Sequence, residues 1–95
     1  MTGIEASIER KAGTYTTSCG GLLLKLMGCT GIPDRLCILP NGRILFVEFK
    51  RSGGKLSPAQ AYWLDRLVHM GFDAYEVDNF ELFKRLIDER RFLTT

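Results

Sequence analysis

Three charged residues stand where an apolar segment offers no ready reason for them. In GIPDRLCILPNGRILFVEFKR, residues 31–51, Asp34 opens one hydrophobic run, and Glu48 and Lys50 close the next. Charged side chains are rarely buried unless they are paired or hold a metal. Two carboxylates brought together repel, and each tends to keep a proton unless a cation lies between them. Mg2+ relieves both problems, because it takes oxygen ligands and is commonly held by one or two carboxylates, water and substrate phosphate. An ammonium one step along the same face then meets a phosphate oxygen or an attacking water. That is equipment for metal-assisted phosphodiester hydrolysis, in which the metal activates water and stabilises developing charge. The plainer alternative is a salt-bridged strand end, with Arg35 or Lys50 partnering Asp34 and Glu48.

Whether the two acids meet depends on a hairpin. Residues 34–39 and 43–50 read as strands around Pro40, Asn41 and Gly42. Side chains alternate along a strand, so Ile44, Phe46, Glu48 and Lys50 share one face and Leu45, Val47 and Phe49 the other. Both faces begin apolar, which predicts a strand covered on both sides. A two-residue Asn-Gly loop would pair Pro40 with Arg43 and turn Asp34 away from Glu48. A three-residue loop pairs Leu39 with Arg43 and sets Asp34 opposite Glu48, with Cβ atoms roughly 5 Å apart. Proline in the first turn position and glycine in the left-handed bulge position suit the longer loop.

The flanking segments supply the frame. Residues 4–12 suit a helix that runs on to about Ser18 or breaks early at Gly13. Gly20-Gly21 marks a turn into a strand over 22–27. In SPAQ, Ser57 can cap a helix, Pro58 suits its first position, and Gln60 completes a capping box. Ala61, Leu64, Leu67 and Val68 line one face of that helix, and Gly71 ends it. A strand over 73–77 follows. Asp78 caps a last helix, with Glu81 three residues on and Leu82, Phe83, Leu86 and Ile87 as its apolar stripe. The order is α-β-β-β-α-β-α. The hairpin is antiparallel and the β-α-β crossover favours a parallel pair, so the fold class is α/β with a mixed sheet.

Composition narrows the function. The chain has 95 residues, 45% hydrophobic and 25% charged, as expected for one soluble globular domain spanning 1–95. No apolar run approaches a membrane span and no signal-peptide pattern opens the chain, so a cytoplasmic location is expected. Cys19, Cys29 and Cys37 show no C-x-x-C spacing, against a disulfide framework or zinc site. His69 is the single histidine, so any Ser–His or Cys–His nucleophile system would have to use it. The net charge of +2 permits nucleic-acid binding without demanding it. Lys50, Arg51 and Lys55 cluster around Gly53-Gly54, which suits a phosphate-facing loop or an ordinary solvated one; Lys11, Arg35, Arg51 and Lys55 are the expected phosphate contacts.

GIPDRL, FVEFKRSGGKLSPAQ and MGFDAYEVD resemble the VRR-NUC domain, the virus-type replication-repair nuclease module of the PD-(D/E)XK superfamily, from about Ile8 to Phe83. The resemblance implies a restriction-endonuclease-like core and a Mg2+- or Mn2+-dependent DNA nuclease. It implies a metal site of Asp34, Glu48 and the backbone carbonyl of Phe49, with Lys50 as the catalytic lysine. Glu9, in an Ile-Glu pair eleven residues before Gly20-Gly21, fits the family's first-helix glutamate, reaching the metal directly or through water; Glu5 stands four residues too early. Gln60 matches the family's helix glutamine, beside its reading as a helix cap. Lys25 matches a frequent phosphate-contacting lysine. Short members resemble phage-encoded proteins, some of which cut four-way (Holliday) DNA junctions as homodimers. Tyr62, Trp63, Phe92 and Leu93 are the interface candidates. A nicking or flap nuclease and a non-catalytic DNA-binding module are the rival readings.

Overall fold

The computed structural model describes residues 3–91, with side chains from residue 7 onward. Its elements are α1 (Gly3–Ser18), β1 (Leu22–Lys25), β2 (Arg35–Ile38), β3 (Ile44–Phe49), α2 (Pro58–His69), β4 (Ala74–Val77) and α3 (Phe80–Arg91). The four strands form one mixed sheet in the order β1-β2-β3-β4. β1–β2 and β2–β3 are antiparallel, and β3–β4 is parallel across the α2 crossover.

The first helix does not break at Gly13. The glycine lies where α1 comes close to the sheet: a Cβ there would stand 4.0 Å from Leu23 Cδ2. Thr16, fully buried, donates its hydroxyl to the Ala12 carbonyl at 2.7 Å, so a polar residue inside the helix is satisfied within it. Gly21 follows, where a Cβ would lie 2.5 Å from the Ile38 carbonyl oxygen. No side chain fits between the end of α1 and β2.

The hairpin takes the three-residue loop. Ile38 pairs with Ile44, and Leu39 donates its N–H to the Arg43 carbonyl at 2.8 Å. Asn41 and Gly42 both lie in the left-handed region, at φ 72° and 78°. β1 is shorter than expected, ending at Lys25, although Leu26 still donates to the Asp34 carbonyl at 2.9 Å. The cap of α3 is Asn79 rather than Asp78. Its Oδ1 accepts the Leu82 N–H, and Asp78 holds the Asn79 amide.

One face of the sheet carries the core. Cys37, Leu39, Leu45, Val47, Phe49 and Val77 pack there with Ile8 and Ala12 of α1 and Phe83, Leu86 and Ile87 of α3. Each large apolar side chain buried in this way stabilises the fold by about 1.5–3 kcal/mol. α2 lies on the other face, along β4. Its apolar stripe is narrower than expected: Leu67 is buried and Leu64 half-buried, whereas Ala61 and Val68 face water.

Candidate active site

The site forms where β2 begins and β3 ends. Continuing the β2–β3 register one pair beyond Arg35 and Val47 sets Asp34 opposite Glu48. Pro33, fully buried, leads the chain into this position. The Asp34 carbonyl accepts from the Leu26 N–H and from Arg35 Nη1, both at 2.9 Å. Its carboxylate Oδ1 accepts the Phe49 N–H at 3.4 Å. Asp34 is thus tied to the residue just past β1, to β2 and to β3 at once.

Glu48 is 5% exposed, a buried carboxylate at the end of an apolar strand. Gln60 reaches it from the first turn of α2. Gln60 Oε1 accepts the Ser57 N–H at 2.8 Å, Ser57 Oγ accepts the Gln60 N–H at 3.1 Å, and Gln60 Nε2 donates to Glu48 Oε2 at 3.4 Å. The helix cap and the link to the acid are one side chain. The approach of α2 is enforced by Gly31, at φ +87°, where a Cβ would fall 2.6 Å from that of Ala59.

Lys50 continues the ladder, its N–H donating to the Val77 carbonyl at 2.9 Å, so alternation turns its half-buried side chain to the Glu48 face. A turn follows, closed by Gly54 N–H to Arg51 carbonyl at 2.9 Å, and Arg51 and Lys55 are exposed on it.

Glu9 stands apart. Alternation puts Arg35 on the core face with Cys37, opposite to Asp34, and Arg35 Nη2 pairs with Glu9 Oε2 at 2.8 Å. Arg35, expected to reach phosphate, is instead turned inward at 17% side-chain exposure, linking Glu9 to the Asp34 carbonyl. Among the described residues no three His, Cys, Asp or Glu side chains form a metal-holding group. Asp34 and Glu48 face each other across β2 and β3. Such a pair still suits a hard cation that keeps several waters, and both donors are oxygen.

A sequence model of the VRR-NUC domain matches residues 18–79, well over half the chain. The chain belongs to the VRR-NUC domain family. A solved VRR_NUC domain structure superposes with a TM-score of 0.85 at 33% identity, covering 94% of this chain and 99% of that one. The phage protein "Putative nuclease p44" of Acyrthosiphon pisum secondary endosymbiont phage 1 is 39% identical over 80 residues, 82% of this chain and 86% of its own length. The α-β-β-β-α-β-α order and mixed sheet are thus those of a VRR-NUC nuclease domain.

The matched segment of the VRR-NUC domain holds Lys25, Asp34, Glu48, Lys50 and Gln60; Glu9 and Lys11 precede it. Lys25 is exposed at the end of the edge strand, paired in register with Arg35. Lys11 lies on the other side of the sheet, in a cleft between α1 and the start of α3 with Arg10 and Tyr15. Tyr62 is exposed and Trp63 half-buried, packed edge-to-face on each other at 5.7 Å on α2. Phe92 and Leu93 lie outside the described residues.

One residue beside the site was not singled out from the sequence. The parallel register sets Glu76 of β4 next to Glu48, exposed on the same face. No local turn signal carries register across a helical crossover, so the sequence held no cue for it.

Proposed function

We propose that this chain is a metal-dependent, structure-selective DNA endonuclease that hydrolyses phosphodiester bonds and cleaves four-way junctions as a homodimer. The observation that supports the reading most is the buried Glu48 carboxylate, with Asp34 opposite it in register and Lys50 next on the same face. Of the two cations that a salt-bridged strand end could use, Arg35 points to the other face and takes Glu9, while Lys50 shares the face of the acids.

Asp34, Glu48 and the Phe49 carbonyl are the groups that would hold Mg2+ or Mn2+, with Glu9 acting on Asp34 through Arg35 or reaching the metal through water. The ion supplies charge stabilisation and a more acidic water. Gln60 holds the Glu48 carboxylate in place from the capped end of α2. Lys50 orients the attacking water or meets the phosphate as negative charge develops on it. Arg51 and Lys55 contact phosphates next to Lys50, with Lys25 and Lys11, both on the other face of the sheet, reaching DNA beyond them, so binding falls steeply with salt and reads little base sequence. Two sites related by a two-fold axis would make paired cuts in a symmetric junction. A phage-encoded enzyme of this kind would work on DNA in the host cytoplasm.

The test is cleavage of labelled four-way junction, flap, nicked and linear DNA in Mg2+, Mn2+ or EDTA. The reading expects paired symmetric cuts in the junction that vanish in EDTA. Cuts in flap or nicked DNA alone would change the substrate. Binding of every form with no metal-dependent cut would leave a DNA-binding module.

A further inference from the structure

One turn beyond Gln60, α2 carries a cluster that the acid site does not use. The rings of Tyr62 and Trp63 meet edge-to-face at 5.7 Å. The Arg66 guanidinium lies 6.0 Å from the centre of the Trp63 ring, still within reach of its π face. Arg66 Nη1 donates to the Tyr62 hydroxyl at 2.9 Å. Arg66 forms no ion pair among the described residues. The one acid of the helix, Asp65, precedes it in the chain, but successive residues do not face each other on a helix, and Asp65 lies against His69. Tyr62 is 55% exposed, and Trp63, the largest side chain of α2, is only half-buried.

The place of this cluster gives it a meaning. Trp63 follows Gln60 by three residues, so the two are neighbours on one side of the helix, about 4.5 Å apart along its axis. Long helical side chains lean back over the preceding turn. For Trp63 that is the turn of Ala59 and Gln60. Gln60 reaches Glu48 at 3.4 Å, and Ala59 backs onto Gly31, in the loop that leads to Asp34. The turn beneath Trp63 is therefore the one that fits α2 to both acids.

We propose that Tyr62, Trp63 and Arg66 form a platform on which an unpaired DNA base stacks beside the bond to be cut. This deepens the structure-selective reading above and rests on it for the identity of the polymer. Aromatic rings and guanidinium planes are the surfaces on which single-stranded bases stack, and they take any base because every base has a π face. Inside a duplex both faces of a base are covered, and exposing one costs the energy of unstacking. At a branch, a flap or a single-stranded tail the stack is already interrupted. The platform thus favours such DNA without reading its sequence, which phosphate contacts alone do not do. The ring contact and the Arg66–Tyr62 bond hold the three side chains before DNA arrives, so less freedom is lost on binding. Tyrosine, tryptophan and arginine also anchor protein interfaces. The position decides for DNA: a phosphodiester held at Asp34 and Glu48 brings its own bases within a turn of this helix.

Trp63 is the only tryptophan of the chain, so its emission reports on this cluster alone. The test is titration in EDTA with oligothymidylate, with a closed hairpin duplex, and with the same hairpin carrying a single-stranded tail. Oligothymidylate and the tailed hairpin should quench Trp63 saturably, and the closed hairpin should leave its emission nearly unchanged. By anisotropy of labelled DNA, Trp63→Ala should bind the tailed hairpin about tenfold more weakly and the closed hairpin as the wild type does, and Trp63→Phe should restore most of the loss. Should Trp63→Ala not fold, Tyr62→Ala, on a ring already in water, should weaken tailed-hairpin binding about fivefold. Equal quenching by the closed hairpin, no quenching by unpaired DNA, or a folded Trp63→Ala or Tyr62→Ala protein with wild-type affinity would each overturn the proposal. A change of molar mass in Tyr62→Ala with DNA affinity intact would also overturn it, by placing the cluster at a protein contact. None of these readouts depends on cleavage. A protein that cuts DNA with Trp63 unquenched would remove the platform and leave the nuclease reading, and one that is quenched but never cuts would do the reverse.

Discussion

Gln60 joins two functions that substitution can separate. Its Oε1 serves the capping box of α2 and its Nε2 serves Glu48. Gln60→Glu keeps an acceptor for the Ser57 N–H, since glutamate fills this capping position as well as glutamine. It also sets a second carboxylate against a buried one. Gln60→Ala removes both contacts. The bond to Glu48 is charge-assisted but long at 3.4 Å, which places it near the low end of such bonds, about 1.5 kcal/mol. Loss of a cap costs about 1 kcal/mol. Gln60→Ala is therefore expected to lose about 2–2.5 kcal/mol, and Gln60→Glu at least about 1.5 kcal/mol, because repulsion adds to the lost bond. In a domain of this size 1 kcal/mol moves Tm by roughly 4–8 °C, so Gln60→Glu should melt about 6–12 °C below the wild type. Thermal and urea denaturation at neutral pH in EDTA measure this directly. A Gln60→Glu protein that melts with the wild type while Gln60→Ala falls would reduce Gln60 to a helix cap and refute its hold on Glu48.

Three further outcomes follow from the geometry. Gly31→Ala combines a left-handed backbone with a Cβ 2.6 Å from Ala59. It should destabilise by more than about 1 kcal/mol in urea and, by displacing the first turn of α2, slow any cleavage as well. Burial pushes the Cys37 thiol up to about 11, whereas Cys29 is exposed. A colorimetric disulfide reagent at pH 8 should therefore label Cys29 at once and Cys37 only on unfolding; rapid native labelling of all three thiols would contradict the packing of Cys37. The Tyr15 hydroxyl, helped by Lys84, holds the Asp88 carboxyl below the usual carboxylate range. A lowered pKa gives stability that is full above the unfolded value and is lost as pH falls through the folded one. Asp88→Asn should therefore flatten the decline of the urea midpoint below about pH 4, and an unchanged acid limb would remove Asp88 from that decline.

The parts of the fold that were legible are those written in local chemistry. Pro40-Asn41-Gly42 specified a three-residue loop, and the loop alone set Asp34 against Glu48. Ser57, Pro58 and Gln60 announced the start of α2 because a capping box lies within four residues. What escaped needed contacts between distant segments. Gly13 and Thr16 argued against a long first helix until packing on Leu23 and a hydrogen bond to Ala12 favoured it. The Glu9–Arg35 pair depends on where α1 lies under the sheet, and no spacing in the chain encodes that. Val68 fits the apolar stripe of α2 by periodicity, yet α2 packs chiefly along β4, so the stripe is wider than the surface that meets it. The same narrow contact leaves Leu22 and Leu24 open.

The central claim is that Asp34, Glu48 and Lys50 act together on a phosphodiester bond. Single-turnover cleavage of a labelled four-way junction in Mg2+ tests it most directly, comparing the wild type with Asp34→Asn, Glu48→Gln and Lys50→Ala, each checked for native circular dichroism. The account predicts that every variant is slower by about 100-fold or more, that Lys50→Ala still binds the junction as the wild type does, and that EDTA stops the wild type. A folded Lys50→Ala protein cutting at the wild-type rate, or a wild type indifferent to EDTA, would contradict it.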